Sequence, residues 1–215
     1  MAKVIGIMGE SGSGKTTSMR NLEPTTTLYI DCDKKGLSWK GWREQYSVEN
    51  KNYFVTDKPN EVIAMLQRVN SQEDKKHIKT VIIDTINGIM VADEMRRCKE
   101  KGYDKWQDLA KAVYDIIDIA LILRDDLTVI FIAHSQTEKT DAGEIFTRIK
   151  TNGQKLEKVV LESKMTTVLH AVVKDGKHLF ETKANNSTCK TPLGAFEEDE
   201  IENDINIVLE ALKEY

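Results

Sequence analysis

The sequence is poor in cysteine: Cys32, Cys98 and Cys189 are its only three in 215 residues, far apart and with no CxxC pair. With no clustered histidines either, a disulfide framework and a zinc site are both excluded, and a reducing, cytoplasmic setting fits. Long apolar runs are also missing. The first run, after Met1-Ala2-Lys3, already stops at Gly9, and no stretch reaches the roughly 18 apolar residues of a membrane span. The expectation is a soluble, unprocessed chain with no membrane partner. Positive charge is not in excess, with 31 Lys and Arg against 35 Asp and Glu, a net charge of -4. A protein that coats nucleic acid by its overall charge is thereby excluded, and any such contact has to come from a local basic loop. Linkers, repeats and low-complexity tracts are absent. At 40% apolar and 31% charged residues, the chain reads as one well-filled domain spanning 1–215.

What is present is an alternation of buried runs and amphipathic stretches. Val4-Ile5-Gly6-Ile7-Met8 reads as a strand buried on both faces, and the Gly9 loop then leads into a helix expected over 15–21, closed by Pro24. Thr26 to Ile30 is a second strand running into Asp31 and Asp33, and Thr80 to Ile83 is another, ending at Asp84. Residues 61–69 and 86–95 read as helices. From Trp106, the positions Leu109, Ala110, Val113, Ile116, Ile117, Ala120 and Leu121 form the stripe of a helix lying on a sheet. Leu127 to Ala133 is a buried strand that delivers His134, Ser135 and Gln136 to its end, and 137–154 is polar and mixed in charge. Runs on either side of Asp175-Gly176 predict a hairpin. The acidic run 197–200 precedes a final helix expected to bury Ile201, Ile205, Val208, Leu209 and Leu212. The sum is an α/β fold: a mostly parallel central sheet flanked by helices, with a C-terminal β-hairpin and terminal helix.

The chemistry is concentrated in Gly9-Glu10-Ser11-Gly12-Ser13-Gly14-Lys15-Thr16, which satisfies G-x-x-x-x-G-K-[ST] between a buried strand and a helix start. Glycines there let backbone N–H groups wrap phosphates, so these eight residues are the candidate nucleotide-binding loop. Lys15 is placed to reach the β- and γ-phosphates of ATP, Thr16 to offer its hydroxyl to Mg²⁺, and Thr17, by analogy with similar loops, to support the α-phosphate. Asp84 follows a run that can only be buried, where an unpaired carboxylate costs several kcal/mol, so a water-bridged Mg²⁺ is its expected partner. The other reading is a helix N-cap at Asp84 or Thr85. Hydrolysis needs a group to orient or deprotonate water, and Glu10, Asp31 and Asp33 are the candidates; the two aspartates point the same way if their strand continues.

His134 is either a γ-phosphate sensor or a hydrogen-bonded structural residue. The loop after it carries Lys139, Arg148, Lys150, Lys155 and Lys158 among the acids Glu138, Asp141 and Glu144. It reads equally as a contact for a few phosphates of single-stranded DNA and as a solvated surface. Trp39 and Trp42 read as core or an oligomer contact, with base stacking as the alternative.

The order of these parts resembles the RecA-like P-loop ATPases, and most closely the short phage ATPases of the Sak single-strand-annealing type. Leu28-Tyr29-Ile30-Asp31-Cys32-Asp33 is similar to that family's second core strand, whose last acid, usually glutamate, is the catalytic base. The resemblance therefore assigns that role to Asp33, a shorter side chain. Val81 to Thr85 resembles the magnesium-associated strand. Phe131 to Ser135 resembles the strand bearing the γ-phosphate sensor, where the parent recombinases carry glutamine and this chain has His134. Residues 151–156 are similar to the glycine-containing end of the second DNA-binding loop, which implies Lys139, Arg148, Lys150 and Lys155 as DNA contacts. Residues 180–183 and 190–196 look like a closing segment of the phage proteins, and Lys183 or Lys190 is implied to reach the ATP of a neighbouring subunit. The resemblance implies ATP and Mg²⁺ as cofactors, a homo-oligomeric ring or filament, DNA-stimulated hydrolysis in phage recombination, and the host cytoplasm. Two alternatives stand beside it. One is a small-molecule kinase with Arg96, Arg97 and Arg148 as its few lid candidates, and the other is a non-hydrolysing, ATP-gated interaction module.

Overall fold

The computed structural model describes residues 1–102, 104–139, 143, 145–151 and 160–215. Its centre is β1 (Lys3–Gly9), a strand almost wholly buried, with β5 (Thr128–Lys139) and β7 (Thr167–Lys174) running parallel on either side of it. Beyond β5 lie β4 (Thr80–Asp84), β2 (Thr27–Asp31) and β3 (Tyr53–Val55), all parallel. Beyond β7, the antiparallel strands β8 (Lys177–Glu181) and β9 (Glu200–Glu202) complete the order β3-β2-β4-β5-β1-β7-β8-β9. A further strand, β6 (Ile145–Ile149), pairs with the far half of β5 and is bridged to Ser187 through Thr147.

Apolar side chains on alternate positions sort to the two faces. Val4, Met8, Val81, Ile83, Val129 and Phe131 meet α2 (Pro59–Ser71), α3 (Ile86–Arg96) and α4 (Asp104–Leu121) on one face. Ile5, Ile7, Ile82, Ile130 and Ile132 meet Met19, Leu22, Tyr46 and α5 (Ile205–Ala211) on the other. Each such side chain removed from water stabilises the fold by about 1.5–3 kcal/mol, which is why continuous apolar runs, covered on both sides, become parallel strands here. Trp39 and Trp42 belong to the second face. Trp42 follows Gly41 in the one-turn helix α1 (Trp42–Gln45), and the two rings pack with Tyr29, Tyr46 and Tyr53 at centroid distances of 5.3–6.4 Å.

Three local expectations are corrected. The helix expected over 15–21 is a single 3-10 turn, Thr17–Met19, flanked by helical dihedrals at Thr16 and Arg20. The β-branched pair Thr16-Thr17 is a poor helix start, and Pro24 forces Glu23 to be extended (φ -69°, ψ 111°), so the chain has no length in which to propagate. Ile201 lies on β9, paired with Phe180, because α5 begins only after Asp204, whose carboxylate accepts the Asn206 N–H as its N-cap. The polar stretch after His134 is not a loop throughout: β5 runs on to Lys139 and β6 returns against it. The hairpin at Asp175-Gly176 forms as expected, with both residues at positive φ (51° and 75°).

Register then aligns the carboxyl ends of the parallel strands. Gly9 sits opposite His134 and Ala171, and Asp31 opposite Asp84. Polar groups at those ends share one edge of the sheet, where α/β folds bind ligands.

Candidate nucleotide site

Residues 10–14 turn back over the end of β1, with the Ser13 N–H donating to the Glu10 carbonyl at 3.2 Å and with Gly12 and Gly14 at φ +82° and +95°. A side chain at Gly14 would strike Asn203 and His178 at 2.9 Å, so the loop is seated directly against β8 and the turn after β9. The Lys15 ammonium is buried under the loop, donating to the carbonyls of Gly9 (2.8 Å) and Glu10 (2.6 Å). Burial holds its pKa down to about 8, against the pull of Asp84.

The hydroxyl of Thr16 donates to Asp84 Oδ2 at 2.7 Å, and the wholly buried Tyr29 hydroxyl donates to the same oxygen at 2.6 Å. The other oxygen, Asp84 Oδ1, is buried with no hydrogen-bond partner. Burial pushes this carboxyl's pKa up, and the Tyr29 and Thr16 hydrogen bonds offset part of that. One orphaned carboxylate oxygen beside a threonine hydroxyl fits a hard divalent cation that draws its remaining ligands from phosphates and water. Among the described residues no cluster of three acidic, histidine or cysteine side chains forms a cage. The N-cap of α3 is Thr85, whose side chain accepts from the Gly88 N–H at 3.0 Å, so Asp84 is not occupied as a cap.

The two aspartates after β2 separate because the strand ends at Asp31. Asp31 is buried and accepts from the Lys34 and Gly36 N–H groups (2.8 Å each) and the Tyr53 hydroxyl (2.6 Å), which makes it the anchor of the following turn. Asp33 faces α3: Oδ1 accepts from the Thr85 hydroxyl at 2.9 Å and Oδ2 meets the Lys35 ammonium at 2.5 Å. Its space exists because residue 88 is glycine; a Cβ there would lie 2.3 Å from Asp33 Oδ1 and 2.8 Å from the Cys32 carbonyl. His134 lies within β5 and not at its end, as the strand continues to Lys139. Its N–H donates to Asn87 Oδ1 (2.7 Å), its carbonyl accepts the Lys150 N–H (2.7 Å), and Asn87 Nδ2 donates to the Lys150 carbonyl (2.8 Å). Burial, and then the Lys15 charge, hold the His134 imidazole below its usual pKa.

A cavity of about 320 Å³ lies against the loop itself, lined by Glu10, Ser11, Gly12 and Ser13 with Ser135 and His170, and two more flank these groups. One of about 330 Å³ is bounded by Asp33, Asp57, Asn87, Gly88, Ala92 and His134. The other, about 550 Å³, opens beyond Thr17 between Arg20, His178, Leu179, Ile201 and Asn203. A larger cavity of about 820 Å³, lined by Glu23, Asn52 and His77 among others, shares no residue with the loop.

A family model described as an AAA domain matches residues 1–191. The chain belongs to the AAA domain family. None of the curated proteins searched matches the sequence. Membership makes this AAA domain a nucleotide-binding P-loop ATPase in general terms, with the sheet and flanking helices of an α/β P-loop fold.

The remaining candidates of this AAA domain are spread more widely. Lys139, Arg148 and Lys150 lie on or just after the β5–β6 pair, with Arg148 bound to Glu138 at 2.9 Å, while Lys155 and most of the 151–156 segment fall outside the described residues. Lys183 is paired with Asp199 at 2.6 Å, and Lys190 is bridged to Val168 in mid-sheet, so neither reaches the loop of its own chain. Thr17 contacts Ser38 at 2.8 Å. Tyr29, Lys35, Asn87 and Gly88 escaped sequence reasoning, whereas Thr85 was legible as an N-cap candidate; of the four, only Asn87-Gly88, two poor helix formers in a first helical turn, left a signal in the chain. No described helix is long and apolar enough to cross a membrane.

Proposed function

We propose that this protein binds and hydrolyses Mg-ATP and acts on single-stranded DNA in recombination or annealing, as one RecA-like domain over 1–215 that assembles with copies of itself. The observation that carries the reading is the row formed by Lys15, Thr16 hydrogen-bonded to Asp84, and Asp33 held by Thr85, all at one edge of the sheet. The loop amides and Lys15 hold the phosphates, while Thr16 and Asp84 hold the cation, which when bound neutralises charge on the β- and γ-phosphates. Asp33 orients water and takes its proton, and Asn87 fixes His134 beside the γ-phosphate. The cavity beyond Thr17 takes the base and ribose.

The DNA part of the reading is supported by how β6 is hung. The residue that follows it, Lys150, is hydrogen-bonded through its backbone to His134 and Asn87, so a shift of His134 against the γ-phosphate is passed to the basic strand pair bearing Lys139 and Arg148. A kinase reading is less favoured, because Arg96 binds Asp57 and Asp93 and Arg97 binds Glu100 and Asp108. The test is ATP turnover with and without single-stranded DNA, alongside particle size by light scattering. Stimulated turnover with larger particles is expected; turnover indifferent to DNA removes the recombination role.

A further inference from the structure

Two lysines follow Asp33 in the chain, both about half exposed, and the turn gives them different carboxylate partners. The Asp31 carboxylate clamps the N–H groups of residues 34 and 36, and Lys34 takes a positive φ of 58°. Lys34 thereby meets Asp57 at 2.6 Å, on the wall of the cavity that Asp33 also lines. Lys35 meets Asp33 at 2.5 Å, at the same sheet edge as Lys15 and Asp84. Its side chain remains 50% exposed, so the aliphatic stem is free to swing while the turn that carries it stays fixed. The Lys35 charge lowers the pKa of Lys15, Asp84 and His134 alike, which sets it among the groups at this edge.

We propose that Lys35 is a phosphate-contacting catalytic cation supplied in cis, its ammonium resting on Asp33 and moving onto the γ-phosphate oxygens when ATP is bound. The inference rests on the ATPase reading above and adds a residue to it. With Lys35 on Asp33, both carboxylate oxygens are engaged, Oδ1 by Thr85 and Oδ2 by Lys35, which leaves water no free acceptor there. With Lys35 on the γ-phosphate, Asp33 is released. The water oxygen then bonds to the γ-phosphorus, the bond to the β–γ bridging oxygen breaks with its electron pair leaving on ADP, and the water proton passes to Asp33. Lys35 offsets the negative charge carried by the transferring phosphoryl oxygens. Neither Lys183 nor Lys190 lies near this edge in its own chain. Only ATP, and not ADP, presents the phosphate that draws Lys35 away from Asp33.

The test is the affinity of the full chain for fluorescent ATP and ADP analogues in magnesium, together with turnover, for wild type, Lys35→Met, Lys35→Arg and Lys34→Met. Lys35→Met is expected to lose ATP affinity about tenfold or more while ADP affinity holds, and to lose about 10²-fold in turnover. Lys35→Arg should restore the ATP preference, and Lys34→Met should behave as wild type. Thermal melting checks that each variant is folded; if Lys35→Met does not fold, the same comparison is made with Lys35→Gln. Equal ATP and ADP affinities across wild type and Lys35→Met would overturn the inference while leaving the phosphate loop intact. A wild type that binds neither nucleotide would overturn the ATPase reading, and Lys35 with it.

Discussion

Replacing Gly88 by alanine sets two known effects against each other. Gly88 is inside α3, where alanine is normally better by about 1 kcal/mol. Here the added Cβ would sit 2.3 Å from Asp33 Oδ1, 2.8 Å from the Cys32 carbonyl oxygen and 3.0 Å from its carbon. The carboxylate is the end of a side chain and can retreat by about 1 Å to ordinary contact, but the Cys32 backbone is tied to β4 through its N–H, donated to the Asp84 carbonyl at 2.6 Å. Overpacking of this kind costs about 1–3 kcal/mol, so the clash exceeds or cancels the helix gain and the net change is a loss of up to about 2 kcal/mol. The larger effect falls on activity. A retreating Asp33 loses the 2.9 Å hydrogen bond from Thr85, and a misplacement of about 1 Å in a catalytic group costs on the order of 10²-fold. Urea unfolding and steady-state ATP hydrolysis measure the two halves separately. A Gly88→Ala protein as stable as wild type with undiminished turnover would refute both the packing and the role given to Asp33.

Tyr29→Phe removes a buried hydroxyl from Asp84 Oδ2; we expect a loss of about 1.5–3 kcal/mol in urea unfolding, the range for a hydrogen bond to a charged group. An unchanged midpoint would mean that Asp84 does not depend on that donor. Asp33→Ala should lower turnover by about 10²- to 10⁴-fold with nucleotide affinity retained, whereas Asp31→Ala should instead destabilise the turn over 34–36. Equal turnover in Asp33→Ala and wild type would remove that residue from the site. Lys15 gives a pH dependence. Its folded pKa, near 8, is below the ordinary lysine value of 10.5, so between those values the unfolded chain binds more protons and this residue's contribution makes stability rise with pH. ATP needs the ammonium, so affinity should instead fall above about pH 8, approaching tenfold per pH unit; a flat affinity from pH 7 to 9.5 contradicts a phosphate contact by Lys15.

Much of the fold is readable along the chain because β1, β4 and β5 are covered on both faces and must be continuously apolar. β6 and β9 are not readable that way. Ile145 is exposed and Phe146 to Arg148 are half-buried, while β9 alternates Ile201 with two glutamates, so neither buries enough apolar surface to mark a strand. The phosphate loop is legible since its residues are contiguous, and Asp84 since a charge follows a buried run. The support of Asp33 is not legible: Thr85 and Gly88 lie more than fifty positions away and meet it only once β2 and β4 are paired. Lys35 reads in the sequence as one more surface lysine, and only the Asp31 clamp distinguishes it from Lys34.

The most direct measurement is calorimetric titration of ATP into wild type, Lys15→Ala and Asp84→Ala, each with magnesium and with a chelator. We expect wild type to bind with an affinity that magnesium raises, Lys15→Ala to lose binding under both conditions, and Asp84→Ala to bind with no magnesium dependence. Wild type showing no heat of binding with magnesium present, or an Asp84→Ala protein that keeps the full magnesium effect, would contradict a phosphate and cation site at the carboxyl ends of β1 and β4.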